Sequence, residues 1–131
     1  MISVTPVPIH RTPSVAFLSL PQGSDPTVAI IQPGTVETMY YHEHQTDQLT
    51  CVEGRMVLIL LVDGKLEYHL LDAAKPETFV IPPLVPHSAY NPGPTNCVIF
   101  NTRVPHRHNE KDLHEATPPP FDYTTIQKLL V

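Results

Sequence analysis

The longest apolar run in the chain is Met56-Val57-Leu58-Ile59-Leu60-Leu61-Val62, followed by Asp63-Gly64 and a second run from Lys65 to Leu71. Asp-Gly between two such runs predicts a β-hairpin with a two-residue turn. The first arm is apolar at successive positions, so it must be buried on both faces. A barrel interior covers one face, and a second sheet, the N-terminal arm or another subunit is expected to cover the other. Upstream, Thr35 to His44 alternates: Val36, Thr38, Tyr40, His42 and His44 fall on one face of a predicted strand, Glu37, Met39, Tyr41 and Glu43 on the other. Ser14 to Leu20, Thr27 to Gln32, Gln48 to Glu53, Thr78 to Pro82, His87 to Tyr90 and Asn96 to Thr102 read as further strands, bounded by glycine and proline turns. Many short strands with such punctuation indicate an all-β barrel or sandwich, with a jelly-roll barrel the leading candidate.

The ends of the chain depart from this pattern. Residues 1–13 alternate proline with small apolar residues and read as an N-terminal arm or edge strand. Residues 14–104 make the barrel. Residues 105–131 are a C-terminal tail: a polar surface loop at Pro105-His106-Arg107-His108-Asn109-Glu110-Lys111-Asp112, a stiff Pro118-Pro119-Pro120 linker, and a short helix. Asp122 is its predicted N-cap, with Tyr123, Ile126 and Leu130 on the apolar side. The whole is one domain.

Composition narrows the function classes. The 131 residues carry a formal net charge of -5, and only 16% are charged. No basic stripe exists, which argues against nucleic acid as a partner. No apolar run approaches the ~20 residues needed to cross a bilayer, and the start shows no signal-peptide pattern, so a cytoplasmic protein with no membrane partner is expected. Sixteen prolines argue against an all-helical fold. Cys51 and Cys97 are isolated and read as buried thiols in a reducing compartment, with a disulfide between them the lesser reading.

The candidate chemistry is concentrated in imidazoles. On a strand, side chains two apart share a face, so His42 and His44 are expected to project together. His87 lies on what reads as another strand. Asp47 and Gln48, just after the pair, offer an oxygen ligand or a hydrogen-bond partner. His10, His69, His106, His108 and His114 have no comparable context and read as surface or packing residues.

These residues resemble the two cupin motifs. The first has a His-x-His pair, a carboxylate a few residues later and a glycine after the next strand: here His42, His44, Asp47 or Gln48, and Gly54. The second has a proline five before a histidine and an asparagine four after it: here Pro82, His87 and Asn91. The phrase His-x-His-Gln-Thr-Asp-x-Leu is similar to a short branch of cupins related to dTDP-4-dehydrorhamnose 3,5-epimerase. The match spans roughly residues 34 to 102. Departures are Leu84, where the family has glycine, Gly34, two places early, and Met39-Tyr40-Tyr41, where the full-length sugar epimerases carry Arg-Gly before their catalytic histidine. Counting from His44 selects Gln48 as the carboxylate position; counting back from Gly54 selects Asp47.

Three readings follow. His42, His44 and His87, with Asp47 or Gln48, would hold one divalent transition metal (iron, nickel, zinc, manganese or copper), with no organic cofactor. Alternatively, His42 or His44 is a metal-free base beside a substrate carbonyl, with a tyrosine returning the proton: Tyr90 is the expected acid, Tyr40 and Tyr68 the others. In the third, the histidines merely satisfy a polar interior in a non-catalytic binding protein. The resemblance favours epimerase or isomerase chemistry on a small carbonyl-bearing or sugar-type substrate over a metal-dependent oxygenase. A homodimer is expected from the doubly apolar strand and the arm.

Overall fold

The computed structural model describes residues 2–107 and 111–131. His108 of the predicted loop lies outside the described residues. The chain folds as an all-β jelly roll with a short C-terminal helix. One sheet has the order β1-β9-β6-β11-β4, with β1 at Ser3–Pro6, β4 at Asp25–Ile31, β6 at Gln45–Glu53, β9 at Glu77–Ile81 and β11 at Cys97–Pro105. The facing sheet has the order β12-β5-β10-β7-β8, with β5 at Tyr40–Tyr41, β7 at Arg55–Val62, β8 at Lys65–Asp72, β10 at His87–Tyr90 and β12 at His114–Glu115. A separate two-stranded ribbon pairs β2 (Ile9–Arg11) with β3 (Ala16–Leu18). It straddles the expected boundary between arm and barrel. Within the arm, β1 pairs antiparallel with β9 of its own sheet.

The predicted hairpin is present. β7 and β8 pair from Arg55↔Asp72 to Val62↔Lys65, and both turn residues have positive φ, 51° at Asp63 and 76° at Gly64. Alternation along β7 then divides the core. Met56, Leu58 and Leu60 face the other sheet, packing with Leu49, Phe79, Ile81 and Ile99. Val57 and Ile59 face the other way and join Met39 and Ile126. The second face of β7 is thus covered from within the chain, by helix α1 (Tyr123–Leu129), and needs no other subunit. Asp122 caps that helix, accepting from the N–H groups of Thr124 and Thr125. Val57, Ile59 and Ile126 are each completely buried, and burying a side chain of this size stabilises by about 1.5–3 kcal/mol.

The strand expected over Thr35 to His44 is mostly absent. Only Val36, in an isolated bridge to Tyr90, and the two residues of β5 are paired. Gly34 at φ 76° turns the chain, and residues 42–44 form a bend between β5 and β6. Two motif residues have structural reasons. A Cβ on Gly54 would sit 2.5 Å from the Asn96 carbonyl oxygen, so only glycine fits. Asn91 is buried and ties the loop after β10 together: its amide donates to the carbonyls of Ile31 and Thr95, and its oxygen accepts from Gly93. Leu84 stands at φ 70°, a left-handed conformation suited to the family's glycine. Cys51 and Cys97 are free and buried, their sulfurs 3.5 Å apart across β6 and β11.

Candidate active site

Inward alternation along β6 carries Asp47, Leu49 and Cys51 to the core side, and Asp47 is 3% exposed. Gln48 therefore points outward, where its amide donates to the carbonyls of Gln22 and Thr102. The oxygen-ligand question left open by the sequence resolves geometrically: Asp47 faces inward. His87 opens β10, opposite Leu60 of β7 and Tyr40 of β5. His42 lies in the bend after β5, held by its carbonyl, which accepts from the Leu84 N–H at 2.7 Å.

His42, Asp47 and His87 come together. His87 Nε2 is 2.9 Å and His42 Nε2 3.5 Å from the same oxygen, Asp47 Oδ2. The other carboxylate oxygen accepts from Gln45 Nε2 at 2.6 Å. Each imidazole is also engaged at its second nitrogen. His42 Nδ1 lies 2.6 Å from the Asp112 carbonyl, and His87 Nδ1 3.0 Å from the Val85 carbonyl. A carbonyl oxygen only accepts, so both Nδ1 atoms carry a proton and both Nε2 atoms turn toward Asp47. With acceptors at both nitrogens, each ring is fully satisfied only as an imidazolium or with a cation set between Nε2 and the carboxylate.

The electrostatics agree. Burial works against charge on Asp47, but hydrogen bonds from His42 and His87 outweigh it and hold the carboxyl far below the usual carboxylate range. The hydrogen bond to Asp47 raises the pKa of His42; desolvation opposes this, and the Asp112 carbonyl reinforces it. Partial burial at the cavity rim raises the pKa of Glu37, against the pull of His87.

The other expected site residues lie elsewhere. His44 does not join the cluster: its Nε2 is 3.8 Å from Glu43 Oε2. The expected pairing with His42 fails because residues 42–44 are a bend rather than a strand, so alternation by two does not apply. Tyr90 packs in the outer apolar cluster, edge-on to Tyr123, and the Tyr68 hydroxyl accepts from the Asp122 N–H. Tyr40 is the tyrosine that lines the cavity with Asp47.

Sequence reasoning missed Asp112. Its carboxylate accepts from the N–H groups of Glu43 (2.7 Å) and His44 (2.9 Å), while its carbonyl fixes His42. His114, next along on β12, sits 3.3 Å from both Glu43 and Asp112 and stacks on Tyr41. Residues 112–116 thus form a strap across the His42 bend. Nothing in the sequence marks this, since the contact joins a loop to residues about seventy positions away.

The cavity over the cluster has a volume of about 220 Å³. Its floor is Leu49, Met56, Leu58 and Ile99, and Leu113 of the strap stands at its mouth. Two imidazole nitrogens and one carboxylate oxygen, all within 4.8 Å of one another, also fit the donor set of a divalent metal.

The cupin family model matches residues 16–127. The chain is a cupin. No protein of curated function matches its sequence. Among solved structures, this cupin is similar to a dTDP sugar isomerase from Desulfovibrio desulfuricans (17% identity over 94% of this chain and 90% of that one, TM-score 0.79). It is also similar to a dTDP-4-dehydrorhamnose 3,5-epimerase from Sulfolobus tokodaii (12% identity, 88% and 77% covered, TM-score 0.75). A third likeness is to a 3,4-ketoisomerase from Thermoanaerobacterium thermosaccharolyticum, solved as a variant with TDP-4-keto-6-deoxyglucose (12% identity, 86% and 85% covered, TM-score 0.72). At these identities the cupin shares a fold with them.

Proposed function

We propose that this cupin is an epimerase or isomerase that moves a proton at the carbon beside the carbonyl of a small sugar-type substrate, with His42 as the base. The observation that carries this reading is the fixed tautomer of His42. Its Nδ1–H is spent on the Asp112 carbonyl, so the neutral ring presents the Nε2 lone pair to the cavity, at the looser 3.5 Å distance from Asp47. When Nε2 takes the proton, the C–H electron pair moves into an enolate. The new imidazolium then faces an ionised carboxylate, which lowers the cost of the charge. His87 and Gln45 keep that carboxylate charged and oriented. Tyr40, which lines the cavity, is the acid in this reading. A proton returned by its hydroxyl to the opposite face of the same carbon gives inversion. With an α-hydroxy ketone, return by His42 to the former carbonyl carbon, with passage of the hydroxyl proton to the enolate oxygen, gives isomerisation. The likeness to sugar isomerases and epimerases supports the substrate class.

A second reading is carried by the convergence of both Nε2 atoms on Asp47. His42, Asp47 and His87 would hold a divalent ion, with the Asp112 and Val85 carbonyls fixing the rings from behind. Such an ion would supply Lewis acidity, and redox chemistry if it were iron, nickel, copper or manganese. The two readings exclude each other at His42, because a ligated Nε2 has no lone pair to accept a proton. Chelator-treated protein in heavy water is the deciding experiment. Deuterium should enter keto sugars beside the carbonyl, and His42→Asn and added zinc should each suppress it. An inert stripped protein that consumes oxygen once iron is restored would overturn the proton-transfer reading.

We also propose a homodimer. The β2–β3 ribbon is exposed, with Val15 and Phe17 uncovered, and two-stranded ribbons are marginal alone. Edge strand β4 presents Val28 and Ile30 to solvent. Each surface gains by burial against a second copy.

A further inference from the structure

The cavity says more about its ligand than the fold does. Among the described residues, no lysine or arginine lines it. Its ionisable groups are Asp47, Glu37 and the imidazoles of His42 and His87; both imidazoles are turned onto Asp47, so the carboxylate left to face an incoming anion is Glu37. Arg103, two residues beyond Asn101 on β11, is already paired with Asp25. Polar capacity is also limited. The Ser88 hydroxyl is spent on the Glu37 carbonyl, and the Asn101 oxygen accepts from the Gln48 N–H. Tyr40, Thr27 and Thr38 are the remaining hydroxyl-bearing residues of the lining, against eight apolar ones. At about 220 Å³ the space is below the ~300–1,000 Å³ usual for larger ligands.

We infer that the ligand of this cavity is a small uncharged ketone with one apolar flank, not a nucleotide-linked sugar. The carbonyl side lies toward His42, Asp47 and Tyr40. The apolar flank, a methyl or methylene edge, lies on Met56, Leu58 and Ile99, where a hydroxyl would be buried without a partner. A diphosphate would meet Glu37 with no lysine or arginine in the lining to offset it, the two imidazoles being engaged with Asp47. A 6-deoxy keto sugar without its nucleotide and a simple cyclic ketone share this chemistry. The word "substrate" for either rests on the proton-transfer reading above; binding does not.

Saturation-transfer NMR on the full-length protein tests the inference. The probes are the methyl glycoside of 4-keto-6-deoxyglucose, 2-methylcyclohexanone, dTDP-4-keto-6-deoxyglucose and dTDP. At least one uncharged probe should bind tenfold or more tightly than the nucleotide-linked sugar, and dTDP should not displace it. Which uncharged probe binds tells the deoxy sugar from the simple ketone. Glu37→Lys should tighten the nucleotide-linked sugar severalfold at low salt, and Glu37→Gln should do so less. A smaller gap than tenfold, displacement by dTDP, or no binding of either uncharged probe would overturn the inference. Deuterium uptake, followed in the same samples, keeps the two claims apart. An uncharged probe that binds without exchange upholds this inference and counts against the proton-transfer reading. A nucleotide-linked sugar that binds best and exchanges does the reverse.

Discussion

At the scale of single residues, the site is a shared-carboxylate arrangement in which one group does two jobs. Asp47 stabilises charge on His42, and the histidines keep Asp47 ionised. The sign of the pH dependence follows. Asp47 contributes stability above the ordinary carboxylate pKa, and this is lost as pH falls through its depressed value. His42 contributes below the ordinary histidine value of about 6.5, and this is lost as pH rises through its raised one. The pair therefore stabilises most between the two. On the proposed proton-transfer reading, catalysis by a neutral His42 runs the other way at the upper limit: kcat/KM should climb as pH passes upward through the raised His42 value. Asp112→Ala removes the acceptors for the Glu43 and His44 N–H groups and frees the bend that carries His42. It should slow turnover by up to about 10²-fold, as expected for a base displaced by an ångström, and move the pH limb. Nitrogen NMR of the His42 ring, reporting Nδ1 protonation, separates this positioning role from a general loss of fold. Of these residues, His42 and His87 were legible from their motifs. Asp47 was separable from Gln48 only once Leu49 and Cys51 set the inward face of β6. Asp112 was not legible, because nothing local records a contact across so much chain.

Elements tell a similar story of pattern read correctly and context added by packing. The Asp63-Gly64 hairpin and the capped helix at Tyr123–Leu129 follow from turn chemistry and an N-cap that act within a few residues. The strand assigned to Thr35–His44 did not follow. Its alternation was real in sequence, but Gly34 and the His42 bend leave only Tyr40–Tyr41 paired as a strand. The doubly apolar β7 correctly required two covers, yet the identity of the second one, a helix some seventy residues later, depends on tertiary packing. That helix can be weighed. Ile126 is completely buried against Val57, Ile59 and Met39, so Ile126→Ala should cost about 2–5 kcal/mol in a urea titration. The His42 ring signals should persist in the folded fraction, because Ile126 belongs to the outer cluster and not to the cavity lining.

For the whole molecule, the jelly roll was legible because turn residues and short strands repeat along most of the chain. The state of assembly is a matter of surfaces. If Val28, Ile30 and Phe17 meet a second copy, light scattering at micromolar concentration should give twice the chain mass, and Ile30→Asp with Phe17→Asp should give a folded monomer. A wild-type monomer would remove the proposal. The order of the elements along the chain carries one more consequence. Synthesis releases residues one after another, at about 5–20 per second. Every strand from β1 to β11 precedes Asp112. A nascent chain can therefore expose His42, Asp47 and His87 before the carbonyl that sets the His42 proton is in place. On the proton-transfer reading, completion of the scaffold and arming of the base are separate moments in the birth of this protein, and the second belongs to the strap.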